Sequence, residues 1–153
     1  MKNKGFTLVE LLVVIAIIGL LSAMAVVSLG SIREKGRDAR RLSDMDALKT
    51  AFELVNSEAG SYDNDEDSDC VAGDMVYECT GGALENYLPS LKNMKDPADP
   101  SVDCQADCTG PCEYSVVALS ADSFEVNFYL EQGAGKFDQP GCYMLSEKGI
   151  EKK

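Results

Sequence analysis

The sequence has no histidine among its 153 residues, and its basic residues are few, 14 against 26 acids for a net charge of −12. The first absence removes the commonest acid–base group and the usual partner of a serine or cysteine nucleophile. There is also no glycine loop of phosphate-binding form and no Cys-x-x-Cys pair, so the chain reads as a non-enzyme. The shortage of positive charge argues against nucleic acid as a partner. A third absence is local: residues 11–32 contain no charged side chain at all.

That run is apolar from end to end. A hydrocarbon layer of about 30 Å needs roughly 20 apolar helical residues at ~1.5 Å rise each, and residues 11–32 supply them. Immediately ahead of the run stands one acid, Glu10, and ahead of that a Gly5-Phe6 junction preceded by Lys2 and Lys4. A carboxylate carried toward the centre of a bilayer costs ~2.5 to 3.5 kcal/mol, so Glu10 calls for a partner.

The stretch Lys4-Gly5-Phe6-Thr7-Leu8-Val9-Glu10-Leu11-Leu12 resembles the processing signal of bacterial type IV pilins and type II secretion pseudopilins. The resemblance is close over the first third of the chain and extends to the remainder only in layout. It implies cleavage between Gly5 and Phe6 by a membrane prepilin peptidase, methylation of the new Phe6 amine, and retention of the apolar helix. An ordinary secretory signal has a shorter apolar core and is cut behind it. Cutting before Phe6 creates a cation buried in lipid, and Glu10 of a neighbouring, axially shifted helix can neutralise it. Such a pair penalises wrong stagger, because removing either partner strands the other at ~3 to 5 kcal/mol. Glu10 is therefore read as a registry residue. Family members often carry a proline where this chain has Val27, which leaves open whether the helix melts during assembly.

Residues 33–41 reverse the sign of the chain: Arg33, Lys35, Arg37, Arg40 and Arg41 stand against Glu34 and Asp38. Charge counting at the two flanks alone favours a cytoplasmic position for the domain beyond this band. The resemblance, which places the leader in the cytoplasm, and six cysteines in a short acidic domain, which suit an oxidising exterior, overrule it. The basic band is either a solvated, headgroup-facing helix surface or a cationic stripe that docks acidic domains of neighbouring subunits.

Past the band, apolar residues recur three, four or seven apart at Ile32, Ala39, Leu42, Met45, Leu48, Phe52 and Val55, joined by Ala51 and Ala59, which predicts one amphipathic helix face. Gly60-Ser61 ends it. A continuous helix over 6–59 would be ~80 Å long. Further on, 114–119 and 124–131 flank a polar turn and predict a hairpin, with Phe124, Val126, Phe128 and Leu130 on the dry face and Glu125, Asn127, Tyr129 and Glu131 on the wet one. Residues 142–146 predict a third strand, 83–94 a short helix interrupted at Pro89, and Asp96-Pro97 with Asp99-Pro100 an extended turn. The fold class is α+β: a long N-terminal helix whose C-terminal half covers a small antiparallel sheet, with disulfide-rich loops. The expected organisation is leader 1–5, membrane or filament-core half-helix 6–32, amphipathic half-helix 33–59 and globular head 60–153.

The six cysteines, Cys70, Cys79, Cys104, Cys108, Cys112 and Cys142, allow fifteen pairings. Loop arithmetic weakly prefers Cys70 with Cys79 and a closure within 104–112. Three of them, Cys104, Cys108 and Cys112, are evenly spaced, but Gly110-Pro111 breaks any helix that would stack them for a metal, so disulfides are the favoured reading. Alternating Asp63, Asp65, Asp67 and Asp69, with Asp74 in twelfth place, sketch a calcium loop. Ser68 stands where that loop needs glycine and Asp74 is short for bidentate reach, so a solvated acidic loop is preferred and no cofactor is required.

Together these readings imply a structural subunit, held as a single-pass precursor in the inner membrane, handled by a prepilin peptidase/methylase and an inner-membrane assembly platform, and stacked with its own kind into a filament outside that membrane. The competing readings are a minor pilin or adhesin acting as a tethered binding module, and a pseudopilin of a type II secretion system.

Overall fold

A computed structural model describes residues 5–63, 70–105 and 108–153. The chain divides into two compact units, Met1–Glu34 and Lys35–Lys153. Helix α1, Leu8–Ala59, contributes its first half to the former unit and its second half to the latter.

In the first unit the helix is apolar on every side. All described large apolar side chains from Phe6 to Ile32 are exposed, from 44 % at Val14 to 78 % at Leu8. A helix without a polar face is not built for water; among the described residues α1 is the one helix long and apolar enough to cross a membrane.

The second unit is an α+β head. Strands β1 (Ser115–Leu119), β2 (Phe124–Leu130), β3 (Gly141–Ser146) and β4 (Gly149–Lys152) form one antiparallel sheet in the order β1-β2-β3-β4. Each strand pairs with its neighbour in sequence, so every connection is a hairpin. In β2 the alternate residues Phe124, Val126, Phe128 and Leu130 are completely buried, and they meet Met45, Leu48, Ala51, Phe52 and Val55 of α1. The Phe52 and Phe124 rings stack with centroids 4.3 Å apart, and Tyr62, just after the helix, leans on Phe124 at 5.1 Å. Gly60 takes the left-handed conformation at φ 74° and its N–H donates to the Asn56 carbonyl, ending α1 where the sequence predicts.

Several expectations need correction. Ile32, Ala39 and Ala59 are exposed rather than part of the buried stripe. The expected break at Pro89 in the 83–94 segment is present: α2 (Ala83–Tyr87) is about a turn and a half and is followed by a separate 3₁₀ turn at Leu91–Asn93. Strand β4 is an addition to the expected sheet: its only large apolar residue is Ile150, which gives no alternation to read.

The wet face of β2 is the largest departure. Asn127 is completely buried and Glu131 nearly so. Cys142 lies opposite Tyr129 in the β2–β3 register, hence on the face away from α1, and its disulfide to Cys108 draws the cysteine-rich loop across that face. Beneath the loop, the Asn127 amide nitrogen donates to the Gln105 carbonyl at 2.8 Å.

Candidate assembly surfaces

At the start of α1, Thr7 and Glu10 form a reciprocal cap. The Thr7 backbone N–H and hydroxyl both donate to Glu10 Oε2, at 2.8 and 2.7 Å, and the Glu10 N–H reaches the Thr7 hydroxyl oxygen at 3.3 Å. This is a capping box: it satisfies helix-end donors that lipid could not. A carboxylate in the first turn also meets the positive end of the helix dipole. The sequence carried the signal, Thr-x-x-Glu before an apolar run, although reading Glu10 only as a charge in search of a cation passes over it. Gly5 and Phe6 precede the helix, and Phe6 is 76 % exposed.

In the head, Arg37 and Arg41 of the basic band take on a different role from either predicted one. Arg41 is fully buried, and its guanidinium makes a two-bond fork to Asp96, Nε to Oδ2 at 2.6 Å and Nη2 to Oδ1 at 2.7 Å. Its Nη1 donates to Asp38 Oδ1 at 2.7 Å and to Glu131 Oε1 at 2.6 Å. Arg37 forks onto the same Glu131 at 2.7 and 2.6 Å. Asp38 in turn accepts the backbone N–H groups of Glu131, Gln132 and Gly133 at 2.9, 2.7 and 2.8 Å, gathering the chain as it leaves β2. Two arginines and three carboxylates thus lock α1 to the end of β2 and to the Asp96-Pro97 turn. The cationic-stripe reading fails for Arg37 and Arg41, whose charges are consumed within the head; Arg33, Lys35 and Arg40 face outward.

The electrostatics of this cluster arise from its contacts. Burial would lower the pKa of Arg41, but hydrogen bonds to Asp96, Glu131 and Asp38 outweigh it and hold the guanidinium more firmly protonated than usual. The Arg37 fork pulls Glu131 below the ordinary carboxylate value, against the effect of burial. Glu113, which accepts the Asp96 N–H at 3.1 Å, is pushed upward by burial and by the negative charge of Asp96. Burial likewise raises Asp44, although Tyr114 donates its hydroxyl to it at 3.1 Å, and raises the Tyr114 phenol itself.

All six cysteines are paired, Cys70 with Cys79, Cys104 with Cys112 and Cys108 with Cys142. Cys104, Cys108 and Cys112 do come together in space, but as halves of two disulfides, whose sulfurs carry no thiolate to offer a metal. Of the acidic candidates, Asp65, Asp67 and Asp69 lie outside the described residues. Asp63 precedes them, and Asp74 accepts the Val71 N–H at 2.9 Å, which turns its carboxylate to a local cap.

Comparison with known proteins bears on the N-terminal part of the chain. The family model described as the prokaryotic N-terminal methylation motif matches residues 1–26. Fimbrial protein Q of Moraxella bovis is 35 % identical over 97 residues, 60 % of this chain and 59 % of that protein. Type IV major pilin protein PilA of Myxococcus xanthus is 36 % identical over 40 % of this chain and 28 % of its own length. Type II secretion system core protein G of Escherichia coli is 38 % identical over 40 % of this chain and 42 % of its own length.

The chain carries the prokaryotic N-terminal methylation motif and is similar to type IV pilins and type II secretion pseudopilins. The long N-terminal helix and the α+β head are consistent with that similarity, and the relatives are structural pilins and pseudopilins, not enzymes. The chain spans under two thirds of the length of these relatives, and no solved structure gives a significant match. A pilin-type signal followed by a membrane-length apolar helix fits an anchored precursor.

Proposed function

We propose that this chain is the subunit of a type IV pilus-like filament. Prepilin peptidase cuts it between Gly5 and Phe6, the new amine is methylated, and an inner-membrane platform stacks the product through residues 6–32. The observation that carries this reading is the apolar first half of α1, exposed on every side and headed by a single acid. Bilayer lipid covers such a surface before assembly, and other copies of the same helix cover it afterwards. Both Thr7 bonds fall on Glu10 Oε2, and a carboxylate accepts several hydrogen bonds, so Oε1 remains to receive the Phe6 amine of a neighbour without loss of the cap. The precursor is then a single-pass inner-membrane protein and the product an extracellular or periplasmic filament.

Likeness to core protein G, a part of a type II secretion system, favours a second reading as a pseudopilin. Shearing separates them. A pilus subunit dominates filaments sheared from the cell surface by mass, whereas a pseudopilin stays in the cell envelope fraction at normal expression. Absence of the chain from any polymer, in either fraction, overturns both.

A further inference from the structure

The Sγ atoms of Cys104, Cys108 and Cys112 all lie within 4.8 Å of one another, so the Cys104–Cys112 and Cys108–Cys142 disulfides stand side by side. They differ in access. Cys104 and Cys112 are buried, as are Cys70 and Cys79 of the third bridge, whereas Cys108 and Cys142 are both half-buried. An external thiolate therefore meets Cys108–Cys142 first.

That bridge is the tie between the cysteine-rich loop and the sheet, through Cys142 opposite Tyr129 on the face away from α1. Cys104–Cys112 closes within the loop itself. The neck of the loop is held separately: the Cys104 N–H donates to the Glu113 carbonyl and the Glu113 N–H to the Val102 carbonyl, each at 2.8 Å. Breaking Cys108–Cys142 thus frees Cys108 and leaves Cys104 and Cys112 in place. Under the loop, Asn127 is completely buried and its amide nitrogen donates to the Gln105 carbonyl, but its Oδ1 meets no donor among the described residues. A buried acceptor without a donor favours any state that admits water to it.

We propose that Cys142 is an entry point for thiol–disulfide exchange and that the thiolate it releases moves onto the neighbouring bridge, unpinning the loop from the sheet. The thiolate of a small thiol attacks Cys142 Sγ; its sulfur bonds to Cys142, the Cys108–Cys142 bond breaks, and the electron pair leaves on Cys108. The Cys108 thiolate then attacks Cys104 or Cys112. A bond forms to one of them, the Cys104–Cys112 bond breaks, and the other leaves as a thiolate that takes a proton from water. Two disulfides and one thiol stand on each side of the exchange, so nothing is oxidised or reduced overall. The loop is then closed on itself and free of β3, while the apolar contact between α1 and the sheet is untouched. This goes beyond the filament reading and does not depend on it.

The test is thiol trapping with peptide mapping on the full chain in detergent. Wild-type chain treated with glutathione and quenched with N-ethylmaleimide should carry glutathione on Cys142 and maleimide on Cys104 or Cys112, with Cys70–Cys79 intact. It should also be cut faster by protease near residue 105 than untreated chain. Maleimide confined to Cys108 beside an intact Cys104–Cys112 bridge overturns the transfer, opening of Cys70–Cys79 before Cys108–Cys142 overturns the order of access, and unchanged protease cutting overturns the unpinning. In C142S, Cys108 starts without its partner, and Cys104 and Cys112 together should take at least about a tenth of the label. Label on Cys108 alone overturns the exchange. In C108S the odd thiol is Cys142, outside the three-sulfur group, so label should stay there with Cys104–Cys112 closed; label spread over Cys104 and Cys112 in C108S too is general scrambling and overturns the proposal.

Discussion

The guanidinium of Arg41 clasps the carboxylate of Asp96 with two parallel hydrogen bonds across 55 residues of sequence, and solvent reaches neither side chain. Around that pair the head is divided by chemistry. From Met45 to Val55 α1 meets the sheet through apolar contact, whereas at Arg37, Asp38 and Arg41 it does so through charge. Apolar contact is tolerant of small rotations; a planar fork with fixed donors is not. The cluster therefore sets the angle at which the sheet sits on this part of the helix.

Breaking the fork should be costly. Arg41→Met leaves Asp38 and Asp96 buried without their cation, and the expected loss is about 3 to 5 kcal/mol. Arg41→Lys should recover only part, because an ammonium cannot reproduce two parallel donors to Asp96 while also reaching Asp38 and Glu131. Chemical denaturation of the full chain in detergent, monitored by tyrosine fluorescence, measures both.

The cluster is only half legible in the sequence. Residues 38, 41, 45, 48, 52 and 55 fall three and four apart and make one continuous helical stripe, with Asp38 and Arg41 in the places the pattern gives to apolar side chains. Read by hydropathy, the stripe diverts to Ala39 and Leu42, since nothing local distinguishes a buried charge from a solvated one. The partners, Asp96 and Glu131, come from elements far along the chain that only the fold brings near. By contrast, the end of α1 at Gly60, the β1–β2 hairpin and the dry face of β2 depend on local spacing, and the sequence predicts them well. Asn127 escapes such a reading because its burial depends on a disulfide loop, not on the strand that carries it.

Stability should vary with pH in two steps. Glu113 and Asp44 have raised values in the folded head, so their contribution is present at low pH and is lost as pH rises through those values. Glu131 has a lowered value, so its contribution is present above the ordinary carboxylate range and is lost as pH falls through the depressed one. Acidifying from neutrality should first raise the melting temperature and then lower it. Glu113→Gln keeps an acceptor for the Asp96 N–H, stabilises the head near pH 7 and flattens the first step; an unchanged profile would contradict the assignment.

Gly133 should tolerate no side chain. It sits at φ 85°, and a Cβ there would lie 2.4 Å from the Phe137 carbonyl oxygen, a backbone atom with no easy way to move. Its N–H also feeds Asp38. Gly133→Ala is expected to cost ~2 kcal/mol and to loosen the ionic cluster, visible as faster amide exchange at residues 131–133.

The three disulfides should differ in worth. Cys108–Cys142 spans 34 positions against 9 for Cys70–Cys79 and 8 for Cys104–Cys112. On loop-closure grounds, replacing the long one by two serines should cost about 1 kcal/mol more than replacing either short one. It should also release the loop over Asn127, seen as increased protease cutting near residue 105.

Glu10→Ala should be cleaved and inserted normally yet fail to polymerise, because the neighbour's amine then lies in lipid without a counter-charge. Glu10→Gln retains a Thr7 acceptor but no charge, so it separates the cap from the ion pair: poor polymer from the glutamine variant identifies the charge as the essential property. Normal filament yield from either variant removes the registry role.

Intact mass and N-terminal analysis of polymer sheared from cells reads processing, methylation and disulfide state together. The expected subunit begins at Phe6, carries a methyl group on that amine and retains three disulfides. Polymer built from chains that still begin at Met1, or a chain that is exported as a monomer, would contradict the filament reading.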